Sequence, residues 1–134
     1  MPGIDKCLLH AMELPGARGA AIVDWTSGLA LGTVGEPSGS DFETTATETA
    51  ELARMAAEHS VFAPDPADPA DPPGKEPPVE DLIVTTRTGF HVMRFVATTF
   101  DSSVFLHLWL DRDTGNLALA RIRLQSIAER LVLG

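Results

Sequence analysis

The chain has 134 residues, with ten Lys and Arg against nineteen Asp and Glu, a formal charge of -9 and 44% hydrophobic residues. That length suits one domain able to bury roughly two-thirds of its unfolded surface, and an acidic field with scattered basic residues opposes phosphate backbones and anionic lipids, so neither nucleic acid nor membrane insertion is expected. The lone cysteine, Cys7, excludes an intramolecular disulfide, and an N-terminal stretch interrupted by Asp5, Lys6, His10 and Glu13 lacks the character of a signal peptide, so the expected location is cytoplasmic.

From Ile4 to Leu14 the apolar residues Ile4, Cys7, Leu8, Ala11 and Met12 recur at three and four, predicting a first helix that Pro15-Gly16 ends. Gly19 to Trp25 and Leu29 to Val34 read as strands joined by Thr26-Ser27-Gly28, a hairpin with Gly at the turn. Ser40-Asp41-Phe42-Glu43 has the S-x-x-E spacing of a capping box and predicts a second helix from Asp41 to about His59. Its apolar face (Phe42, Ala46, Ala50, Ala53 and Ala57, with Leu52 and Met55 beside it) is narrow and small, which lets another backbone approach closely.

Residues 63–78, APDPADPADPPGKEPP, hold seven of the ten prolines, with Asp65, Asp68 and Asp71 at a three-residue period. Proline at this density predicts an extended acidic loop, inserted within a single domain that runs over 1–134. Beyond it, Leu82 to Arg87, Phe90 to Thr98 and Val104 to Asp111 read as three successive strands, the last apolar on both faces and therefore central. Leu117, Ala120, Leu124, Ile127 and Leu131 then mark an amphipathic closing helix, with Asp113 and Asn116 as candidate caps. The order α-β-β-α-β-β-β-α with hairpin-length links predicts a mainly antiparallel α+β sheet covered by helices on both faces.

Motifs for chemistry are weak. Gly35-Glu36-Pro37-Ser38-Gly39-Ser40 is glycine-rich ahead of a helix but has a Glu and no Lys, so it reads as a helix lead-in rather than a phosphate cradle. Cys7 and His10 form C-x-x-H, yet a structural zinc needs four ligands. His91 and His107 fall on neighbouring strands where either could pair with Asp101 or Asp111 for acid-base work, although a hydrogen-bonded core histidine is the commoner arrangement. Asp24, Asp111 and Asp113 at strand ends suit local turn amides better than a cation. No catalytic residue, metal or cofactor is expected.

Pro15-Gly16-Ala17, followed by Gly19-Ala20-Ala21-Ile22-Val23-Asp24 and Ser27-Gly28-Leu29-Ala30-Leu31-Gly32, resembles the first hairpin of roadblock/LC7 domains. Val79 to Thr85 and the run from Phe105 to Arg121 are similar to the later strands and closing helix of actinobacterial members. The resemblance implies a five-stranded antiparallel sheet in the order 2-1-5-4-3, with helices 1 and 3 on one face and helix 2 on the other. It also implies a non-enzymatic homodimeric adaptor or regulator, joined through helix 2 (Ala46, Ala50, Leu52, Ala53, Met55, Ala57) and edge strand 3 (Leu82, Ile83, Val84, Thr85, Thr86). Bacterial members are associated with small Ras-like GTPases, which makes such a GTPase or another signalling protein the expected partner. A small-molecule-sensing domain of a related sheet-and-helix fold is the alternative.

Overall fold

The computed structural model describes residues 2–63, 65, 67, 78–97 and 103–133. Most of the proline-rich insertion, and Asp101, lie outside the described residues. The elements are α1 (Pro2–Met12), β1 (Ala17–Asp24), β2 (Leu29–Gly35), α2 (Phe42–Glu58), a 3-10 turn (Ser60–Phe62), β3 (Asp81–Thr85), β4 (Gly89–Val96), β5 (Val104–Asp111) and α3 (Leu117–Leu133). All strand pairs are antiparallel, and the sheet order is β2-β1-β5-β4-β3. The architecture expected from the sequence is therefore present. α1 starts two residues before the apolar stripe because Pro2 is tolerated in the first turn, where its missing amide has no helical partner.

Central β5 is paired on both sides, and its alternating residues divide the core in two. Leu106, Leu108 and Leu110 meet Leu8 and Ala11 of α1 and Leu124 and Ile127 of α3, while Phe105 joins Val23, Met93 and Phe95 beneath α2. Each face thus needs its own helical cover, and neither would be stable exposed. Gly28 closes the first hairpin at φ +78°, a conformation that L side chains rarely adopt.

One local expectation shifts. The cap of α2 is Asp41, whose Oδ1 accepts from the Thr44 amide at 2.7 Å; Ser40 instead donates to the Asp41 carboxylate at 3.4 Å. A carboxylate gives a stronger, charge-assisted cap than a hydroxyl and adds a favourable charge at the positive end of the helix dipole. Those amide bonds hold the Asp41 carboxyl below its usual pKa. At α3, Asn116 Oδ1 takes the cap by accepting from the Leu119 amide at 3.0 Å.

Candidate interaction site

α2 turns its small residues inward. Ala46, Ala50 and Ala53 are all but fully buried, as is Ala56, in the cluster with Ala21, Val23, Met93, Phe95 and Phe105; Ala57 is partly buried beside them. The alanine stripe is small because the sheet beneath it is bulky: two phenylalanines and a methionine fill the space, so the helix must come close. Ala46, Ala50 and Ala53, expected on the surface offered to a second copy, are therefore occupied by this chain's own sheet. The outward face carries Leu52 and Met55, 43% and 53% exposed, and Val61 and Phe62 of the following turn are exposed as well.

β3 is an edge strand hydrogen-bonded to β4. Its alternating side chains serve different ends. Leu82 packs with the cluster under α2, Ile83 with the cluster under α1 and α3, and Val84 and Thr85 are exposed. Thr86 is committed to its own turn: its amide donates to the Gly89 carbonyl at 2.8 Å, its hydroxyl accepts from the Gly89 amide at 3.0 Å, and its carbonyl receives Arg112 at 2.8 Å. Asp81 anchors the strand's start, 3.0 Å from Arg121 of α3 and 3.9 Å from Arg94 of β4. The edge is thus held rigidly at both ends while Leu82 to Thr85 run between them. Natural edges are usually blunted with Lys or Pro, and this strand has neither.

The histidines meet each other, the hydrogen-bonded core arrangement that is the commoner one. Register sets Met93 opposite His107 and His91 opposite Trp109, which makes His91 and His107 diagonal neighbours on the α2 side of the sheet. His91 Nδ1 lies 3.1 Å from His107 Nε2, and the rings of His107, His91 and Trp109 stack in sequence, 5.4 Å and 6.0 Å between centroids. Burial, reinforced by the neighbouring His91, drives the His107 pKa down to about 3, and burial lowers that of His91. At neutral pH both rings are uncharged, one donating a single proton to the other. Arg18 stacks over Trp109 at 4.3 Å, and the indole donates to the Glu36 carbonyl at 2.9 Å.

Asp111, a candidate acid partner for the histidines, works elsewhere. Asp111 accepts from the amides of Asp113 and Thr114 at its own turn, which lowers its pKa, and Asp101 lies outside the described residues. Asp24 caps the opposite end of the sheet, accepting from Thr26 and Ser103 at 2.9 Å and 3.0 Å, so Asp24 and Asp111 cannot converge on a cation. Cys7 is buried, its thiol directed at the Ile127 carbonyl at 3.6 Å and its pKa raised by burial, while His10 faces Glu13 at 3.7 Å. Among the described residues no group of three His, Cys, Asp or Glu is placed to hold a metal, and no helix is long and apolar enough to cross a membrane.

No protein-family model matches the chain and no curated protein matches it in sequence. Solved structures do. Myxococcus xanthus MglB superposes with a TM-score of 0.76 at 17% identity over 98% of this chain and 86% of that one. A roadblock/LC7 domain from Streptomyces avermitilis gives 0.64 at 13% identity over 95% and 89%, and an MglB in a tetrameric arrangement gives 0.73 at 16% over 99% and 90%. The chain has the roadblock/LC7 fold. At such low identity the likeness fixes the path of the backbone and leaves the surfaces to be read from this chain's own residues. In this chain two such surfaces are the β3 edge and the outward side of α2, the second carried by Leu52 and Met55, the two apolar residues that the sequence placed beside the alanine stripe.

Proposed function

We propose that the chain is a non-catalytic, homodimeric adaptor or regulator that works by binding other proteins, with a small Ras-like GTPase of a bacterial signalling system as its partner. The observation that carries the self-association is the unblocked β3 edge, with Val84 and Thr85 exposed, together with exposed Leu52 and Met55 on α2. A free edge offers amides and carbonyls to a two-fold mate, and apolar side chains on the neighbouring helix supply the burial that backbone pairing alone lacks. A stable pair needs about 1,000 Å² of buried surface, within reach of one helix and one strand from each subunit. The GTPase rests on the roadblock resemblance of the hairpin and closing segments, and the uncharged, mutually bonded histidine pair favours binding over acid-base catalysis.

Light scattering at micromolar concentration should give twice the chain mass of 14.3 kDa. Met55→Glu combined with Val84→Lys should raise the dimer dissociation constant at least tenfold while leaving the circular dichroism spectrum unchanged, because both side chains face solvent in the single chain. A monomeric wild type, or a dimer indifferent to the double change, would overturn the arrangement. Affinity purification from the native cell followed by GTP hydrolysis assays on the recovered GTPase tests the partner; recovery of no GTPase at all defeats that half of the reading independently.

A further inference from the structure

The face of the sheet opposite α2 carries a second surface, independent of the proposed dimer. Where α1 packs on α3, a groove of about 300 Å³ opens over buried Leu14 and Ile127, lined as well by Pro15 and by the charged or titratable side chains of His10, Arg123 and Arg130. Glu13 also reaches the rim, where it faces His10 at 3.7 Å. Lys6 and Arg130 both lie near enough to the Cys7 thiol to act on it electrostatically, so cations approach the α1–α3 seam from both helices. Among the described residues, Lys6, Arg123 and Arg130 take part in no ion pair, whereas Arg18, Arg94 and Arg121 do. On a chain of charge -9 these cations gather beside a groove in which Leu14, Pro15, Leu119 and Ile127 supply the apolar lining and Glu13 the one acid.

The spacing of the two arginines selects the ligand. They sit seven residues apart on one helix, so about 10 Å separates their Cα atoms along the axis. A single carboxylate cannot bridge that distance. An extended peptide advances about 3.1–3.4 Å per residue, so acidic side chains three residues apart are set about 9–10 Å apart, with the intervening side chains free to rest on the apolar floor. We propose that the α1–α3 groove docks an extended acidic segment of a partner protein, its two carboxylates three residues apart on Arg123 and Arg130. Arginine suits the role because its planar fork donates two parallel hydrogen bonds to a carboxylate.

The test uses the full chain and a fluorescein-labelled octapeptide with two aspartates three residues apart and leucines between them, beside its diasparagine counterpart. Fluorescence polarisation at low salt should show the diaspartate peptide binding at least tenfold more tightly than the diasparagine one, and raising salt should weaken it as the Debye length shrinks. Arg123→Glu with Arg130→Glu should abolish that preference; Arg87→Glu, an exposed cation on another part of the surface, should leave it within about twofold. The milder Arg123→Gln with Arg130→Gln guards against a folding defect from charge reversal. Amide chemical shifts should move along α3 from Leu119 to Arg130. Equal affinity for the two peptides, indifference to both double substitutions, or shifts confined to α2 and β3 would each overturn the proposal.

Discussion

Acid should weaken this fold through His107 before it protonates most of the carboxylates. The ring is 3% exposed, and burial together with His91 places its folded pKa at about 3, against roughly 6.5 in an unfolded chain. A folded value below the unfolded one means that the native state binds fewer protons between those limits. Stability is therefore complete above about pH 6.5 and falls as pH drops toward 3. At pH 5, one and a half pH units below the unfolded value, the loss from this residue alone is about 2 kcal/mol. His91, also lowered by burial, adds loss of the same sign. Urea unfolding at pH 7.5 and pH 5.0 reads the effect as a drop of about 1 M in midpoint, taking a slope of about 2 kcal/mol per M. His107→Leu supplies the reference, since it places an apolar side chain of similar size in the buried position and removes the titrating group. The wild type should lose about 2 kcal/mol more than this variant across the same interval. Equal losses in the two proteins would mean that the native ring takes up its proton freely, and the neutral stacked pair would have to be abandoned.

Ala53→Glu should unfold the chain, not merely separate two copies, because Ala53 is wholly buried against the sheet; a cost of at least about 3 kcal/mol is expected in chemical denaturation, and an intact monomer would contradict the placement. Asp81→Asn should loosen the start of β3 by weakening its contacts with Arg121 and Arg94, costing about 1–3 kcal/mol, with faster amide exchange from Asp81 to Thr85 than in the remaining strands. Gly19→Ala puts a methyl group in collision with the Glu36 carbonyl, so it should displace the acceptor of the Trp109 indole; a red shift in tryptophan fluorescence and a loss of about 1–3 kcal/mol are the expected readings.

What could be read from the sequence was whatever depends on neighbours along the chain. The two-residue alternation of Val104 to Asp111 located β5 at its observed ends, and the three-and-four spacing of Leu117 to Leu131 located α3. The cap of α2 was missed by one residue because Ser40 and Asp41 are both competent acceptors and spacing alone does not rank a hydroxyl against a carboxylate. The alanine stripe was harder. A small-residue face is equally suited to a second copy and to the chain's own sheet, and the choice is made by Met93, Phe95 and Phe105, which lie far along the chain beyond the insertion and supply the volume that the alanines lack. The histidine pair depends on register as well: Gly89 closes the β3–β4 turn and leads β4 along β5 so that His91 falls diagonal to His107, within hydrogen-bonding distance of it. The alanine stripe and the histidine pair share a physical cause, since both turn on which side of an element meets which distant one. They also bear on the proposed dimer. Once the alanines are spent inside, any mate of α2 must be met by Leu52 and Met55, large flexible side chains whose burial carries more energy per residue than alanine could and tolerates a less exact fit.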